Sequence, residues 1–136
     1  MMRLFSDYSQ QFEEVEKKIY PDIDEEMKKY ISSLYASFLE NEAYFKYQPR
    51  LLHGDLSCDH LLFDPQKEQL TGIIDFGDLQ IGDPDLDYIY IYEECGEAFT
   101  REVMTKRWES NIPSQLEKVR LLLLIESVNL LPAAKD

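Results

Sequence analysis

Basic residues are scarce in this chain: Lys and Arg total 14 against 27 Asp and Glu, a formal net charge of −13 over 136 residues. So negative a surface repels nucleic acid and anionic lipid and attracts cations, which excludes nucleic acid as an expected partner. Long apolar runs are also missing. The longest aliphatic stretch, Leu121 to Ile125, is far too short to cross a bilayer, so no membrane partner is expected. The opening Met1-Met2-Arg3 meets a charge before any apolar stretch develops, unlike a signal peptide. There are only two cysteines, Cys58 and Cys95. They stand in unlike contexts, form no metal-ligand spacing, and imply a reduced, cytoplasmic setting. Glycine is nearly as rare: five in all, none before position 54, and four of them between 53 and 87.

What is present falls into three stretches of one domain spanning 1–136. Residues 1–50 read as a helical subdomain. The helical pattern runs from Ser9 to about Glu40, with Met27, Ile31, Leu34, Tyr35 and Phe38 recurring at three- and four-residue spacing. Pro21-Asp22 with Glu25 resembles a capped helix start. Residues 89–136 read as C-terminal helices, the last opened by Ser114-Gln115-Leu116-Glu117 and ending near Pro132. Between them, Leu61-Leu62-Phe63 reads as a short buried strand. Asp64-Pro65 begins a turn, and Leu70 to Phe76 reads as the returning strand of a hairpin.

The chemistry is concentrated in 51–88. Aspartates stand at 55, 59, 64, 75, 78, 83, 85 and 87, interleaved with Leu51, Leu52, Leu61, Leu62, Phe63, Ile73, Ile74 and Phe76, residues that belong inside. Several aspartates must then sit together at strand ends beside a core. Carboxylates held close raise one another's pKa unless a cation neutralises them, and hard carboxylate oxygens suit magnesium or calcium. Asp64 and Asp83 each precede proline and fit ordinary turn roles. Asp55 and Asp75 do not. His53-Gly54-Asp55, then His60, then Asp75-Phe76-Gly77 beyond a hairpin, follow the order of a kinase catalytic loop and its metal loop.

With Gly82-Asp83-Pro84-Asp85-Leu86-Asp87 added, the chain resembles the C-terminal lobe of the aminoglycoside phosphotransferase family. His60, where many members carry asparagine, is most like the aminoglycoside 2″-phosphotransferases. The resemblance implies an α+β, mostly helical, protein-kinase-like C-terminal lobe whose central hairpin carries the catalytic and metal loops. It implies transfer of the γ-phosphate of ATP or GTP to an aminoglycoside hydroxyl with Mg2+. By the same resemblance Asp55 is the catalytic aspartate that orients the acceptor hydroxyl. His60 and Asp75 hold the metal, and His53 and Asp87 support the loops, with Asp78 or Asp83 able to help. Glu93, Glu94 and Glu97 line the site of the cationic acceptor, with Trp108 as a stacking platform.

The N-terminal nucleotide-binding lobe such an enzyme needs is absent: the first fifty-two residues hold no glycine and no lysine in a strand-like setting. The expectation is a fragment, a truncated gene product or an isolated lobe that turns over little by itself. A homodimer through the surface thus exposed is a further expectation. Three other readings stand beside this one: a kinase for choline, a sugar amine or homoserine, a non-catalytic module for cationic ligands, and a metal-dependent hydrolase built on His53, Asp55, His60 and Asp75.

Overall fold

The computed structural model describes residues 5–135. It is mostly helical with two small antiparallel sheets, and it divides into two compact units, residues 48–119 and residues 5–47 with 120–135.

The second of these units is built on α1 (Phe5–Lys18) and α2 (Glu25–Leu39). The helical stretch expected from Ser9 to about Glu40 is these two helices, separated by a short 3-10 turn at Tyr20–Asp22 that holds Pro21, close to the helix start expected at Pro21-Asp22. The cap of α2 is Asp24, with extended backbone (ψ 170°), whose carboxylate accepts the Met27 N–H at 2.8 Å. The Asp22…Glu25 spacing points to a cap at Asp22, and the backbone sets it two residues later. Ile31, Leu34, Tyr35 and Phe38 form the buried face of α2. Phe12 of α1 stacks on Tyr35 at 4.6 Å, and Tyr8 meets Phe38 edge-on at 4.8 Å. A second 3-10 turn, Glu42–Phe45, adds Tyr44 and Phe45 against Phe38. Each such ring pair adds about 0.5–1.5 kcal/mol beyond the area it buries. The unit also includes residues 120–129 of α4 (Ile112–Asn129) and α5 (Leu131–Lys135), which packs on α1. Helix α4 begins at Ile112, so Ser114 lies inside it rather than at its cap.

The 48–119 unit carries both sheets. β2 (Leu61–Asp64) and β3 (Gln69–Ile73) form the expected hairpin, in the register Leu61↔Ile73 to Asp64↔Gln69 with a bulge after Leu62. The Asp64 carboxylate closes the turn by accepting the Gln66 N–H at 2.9 Å. A second pairing, β1 (Arg50–Leu52) with β4 (Gln80–Gly82), has no counterpart in the sequence reading. The hairpin is not buried as expected. Leu62, Phe63, Leu70 and Ile73 are exposed, as are Leu51, Ile74 and Phe76, and Leu52 alone of the interleaved apolar residues is buried. An apolar strand residue is covered only where another layer lies over it, and a lone two-stranded sheet brings none.

After β4 a 3-10 turn, Pro84–Tyr88, leads into α3 (Ile89–Lys106), which is broken at Gly96 (φ 86°, ψ 171°). Tyr88, Met104, Leu116 and Val119 make the apolar core of this unit, with Tyr92, Val103 and Ile112 packed on it.

Candidate active site

The loop after β1 is shaped by its glycine. Gly54 has φ of 88°, in the left-handed region, and a Cβ there would collide with the backbone carbonyl of Asp78. Asp87 lies in the 3-10 turn at Pro84–Tyr88. Its two carboxylate oxygens accept the N–H groups of His53 (2.9 Å) and Gly54 (3.0 Å). One side chain, 33 and 34 residues downstream, therefore fixes the backbone that presents Asp55.

His53 is buried and both its ring nitrogens are used. Nδ1 accepts the Asp55 N–H at 3.2 Å, so the ring proton sits on Nε2, which donates to the Ile74 carbonyl at 2.8 Å. The ring thus links the Asp55 loop to the backbone just before Asp75, with Phe76 against its face at 4.8 Å. Asp75 has φ of 64°. Among non-glycine residues aspartate tolerates this left-handed backbone better than most, and such conformations collect at functional sites.

His60 ends the 3-10 turn Cys58–His60. Its Nδ1 donates to the Asp55 carbonyl at 2.7 Å, which points Nε2 at Asp75 Oδ2, 3.2 Å away, while Asp55 Oδ2 lies 3.9 Å from Nδ1. The backbone bond to Asp55 raises the His60 pKa, burial works against it, and the carboxylates of Asp55, Asp75 and Asp59 raise it further. One ligand atom from each of Asp55, His60 and Asp75 lies within 4.8 Å of the others. Among the described residues no lysine or arginine pairs with either carboxylate. The donor set fits a divalent cation: two carboxylates, and an imidazole whose second nitrogen is anchored to a backbone carbonyl in the manner of metal-ligating histidines. The preference of magnesium for oxygen makes His60 the softest of the three donors.

A second acidic group lies in the same unit. Asp83 caps the 3-10 turn by accepting the Asp85 N–H at 3.0 Å, and the Lys118 ammonium donates to Asp83 (2.5 Å) and Asp85 (3.0 Å). Gln115 donates to Asp85 (3.1 Å) and Glu109 (2.8 Å). Burial pulls the Lys118 pKa down, but the two carboxylates outweigh it and raise the value. Burial also pushes the Asp83 carboxyl up, against the ammonium. Lys118 has no place in the sequence reading. Its signal was a single lysine on the buried side of an apolar helix, which requires an anionic partner.

The remaining predicted residues are placed as follows. Glu94 accepts the Cys58 N–H at 2.7 Å. Glu97 pairs with Arg101 at 3.7 Å, and Glu93 is exposed. Trp108 is 91% exposed, in the turn after α3, with φ of 57°. Asp78 contributes the carbonyl that Gly54 approaches. The two cysteines, read as unrelated, are joined by a disulfide. Their 37-residue separation hid this, because the fold rather than the sequence brings α3 to the 3-10 turn.

The sequence model of the phosphotransferase enzyme family matches residues 7–122. Among solved structures, the GDP complex of a mutant aminoglycoside 2″-phosphotransferase IIIa is 40% identical with a TM-score of 0.93, over 99% of this chain and 45% of that one. The GDP and kanamycin complex of the same enzyme is 40% identical, with a TM-score of 0.86, over 93% and 44%. The likeness is to the C-terminal half of these proteins, in agreement with the expected kinase-like lobe. The uncharacterized protein YcbJ of Bacillus subtilis (strain 168) is 30% identical over 67 residues, 49% of this chain and 22% of that protein. The chain thus spans less than half the length of each of these relatives.

Proposed function

This chain belongs to the phosphotransferase enzyme family, and from that premise we propose that it is the C-terminal lobe of an aminoglycoside kinase. The whole enzyme passes the γ-phosphate of a nucleoside triphosphate to an aminoglycoside hydroxyl, a resistance activity. The observation that carries the reading is the convergence of Asp55, His60 and Asp75, with His60 anchored on the Asp55 carbonyl and aimed at Asp75. The relatives crystallised with GDP and with kanamycin support a nucleotide donor and an aminoglycoside acceptor.

Phosphoryl transfer through a loose transition state asks the protein chiefly for positioning and charge. Asp55 accepts a hydrogen bond from the substrate hydroxyl and keeps it in line. A carboxylate is too weak a base to ionise an alcohol beforehand, so proton transfer to it comes late. His53 has both nitrogens occupied and serves as a brace rather than a proton carrier. Asp87 holds the loop backbone. Asp75 and His60 would hold Mg2+, which when bound supplies charge neutralisation for the nucleotide phosphates. Glu93, Glu94 and Glu97 would meet the acceptor's ammonium groups.

No helix of the described residues is long and apolar enough to cross a membrane, and we place the protein in the cytoplasm. The exposed apolar strands favour self-association.

The test is a fusion of this chain to the nucleotide-binding half of aminoglycoside 2″-phosphotransferase IIIa, assayed for transfer from GTP and ATP to kanamycin. Phosphorylation that disappears with Asp55→Asn is expected. A folded, nucleotide-binding fusion that leaves kanamycin unmodified would overturn the reading. Calorimetry of the chain alone with kanamycin and spermidine, at two salt concentrations, separates an acceptor site from a merely acidic surface.

A further inference from the structure

Cys58 opens the 3-10 turn that ends at His60, and Cys95 stands immediately before the break of α3 at Gly96. The disulfide joins them, and the neighbouring Glu94 accepts the Cys58 N–H. Two consecutive residues of α3 thus grip one residue of the turn, one by a covalent bond and one by a hydrogen bond. The turn itself needs neither. Its own backbone bonds run from the His60 N–H to the Ser57 carbonyl and from the Leu61 N–H to the Cys58 carbonyl. Both cysteines are half-buried, within reach of small thiols and disulfides.

We infer that Cys58 and Cys95 form a redox-sensitive tether that sets how firmly His60 is held toward Asp75, and through it the cation affinity of the site. The inference rests on the reading of Asp55, His60 and Asp75 as a cation site. On closure each thiol gives up one proton and one electron. The pair is taken up by a low-molecular-weight disulfide, which leaves as two thiols after passing through a mixed disulfide with one cysteine. In a reducing compartment such a bond is transient and reports redox state rather than serving as a permanent staple. When it opens, His60 keeps its bond to the Asp55 carbonyl, so ring orientation persists while the turn is freed from α3. The site loosens without being lost.

The chain is purified under reductant and a portion is oxidised with glutathione disulfide. Mn2+ is then titrated into both forms by calorimetry, with Cys58→Ser and Cys95→Ser as controls. Peptide mapping of the oxidised form is expected to give a Cys58–Cys95 linked peptide. That form is expected to bind Mn2+ about tenfold more tightly than the reduced one, and neither serine variant is expected to respond to the oxidant. Absence of the linked peptide overturns the tether, as does an oxidised form that binds Mn2+ no more tightly than a reduced form that also binds it. If neither form binds Mn2+, the cation reading fails by itself and hydrogen exchange decides the tether. Slower exchange across 58–61 in the oxidised chain upholds it, and equal exchange overturns it.

Discussion

Two groups of aspartates in the 48–119 unit are chemically alike and placed to opposite ends. Asp83 and Asp85 are buried against Lys118, which donates to both. Asp55 and Asp75, with 41% and 59% of their side chains exposed, have His60 between them and no lysine or arginine among the described residues. Where the chain supplies its own cation, the carboxylates hold a turn in place. Where it does not, they remain available to a cation from outside. The difference lies less in the aspartates than in one lysine from a distant helix.

The sharpest way to break this contrast is to remove the internal cation. Lys118→Met leaves two buried carboxylates without a counter-charge and is expected to cost about 3–5 kcal/mol in urea unfolding. A midpoint equal to that of the parent would mean that the buried group holds nothing together. Next in size is Asp87→Ala, which removes the acceptor of two backbone N–H groups. A loss of about 2–3 kcal/mol is expected, with faster amide exchange at His53 and Gly54.

At the open group the effect moves from stability to binding. Asp75→Asn is expected to lower Mn2+ affinity at least about tenfold while leaving the urea midpoint near the parent's. A large loss of stability instead would make Asp75 a second structural carboxylate and erase the contrast. The smallest effect is that of pH. Because the folded pKa of His60 is raised, its contribution to stability is full below the ordinary histidine pKa and fades as pH rises through the raised value. A cation on Nε2 competes with that proton, so Mn2+ affinity should climb severalfold over the same interval. Affinity that is flat with pH would remove His60 from the ligand set.

Sequence reasoning succeeded where the signal is local. The Ile31–Phe38 spacing, the Asp64-Pro65 turn and the hairpin around it appear where their patterns stand, and the His-Gly-Asp and Asp-Phe-Gly triplets lead to a real cluster. It fell short where partners are far apart in the chain. The three-residue strands Arg50–Leu52 and Gln80–Gly82 are too short to carry an alternation pattern. Lys118 and the Cys58–Cys95 pair become visible only once the fold has brought them to their partners. The hairpin leucines are exposed despite their strand-like apolar pattern because burial depends on what lies over a strand, which no local pattern records.

The reach of Asp87 has a consequence for the order in which the molecule is made. His53 and Gly54 leave the ribosome before Asp87, yet their amides find their acceptor only when residue 87 has emerged. The turn carrying Asp87 is clamped only when Lys118 follows. Both contacts close loops of more than thirty residues, and such closures come late because their entropy is lost before their bonds are gained. The residues that bear the chemistry are thus set in place only after residues made later have emerged.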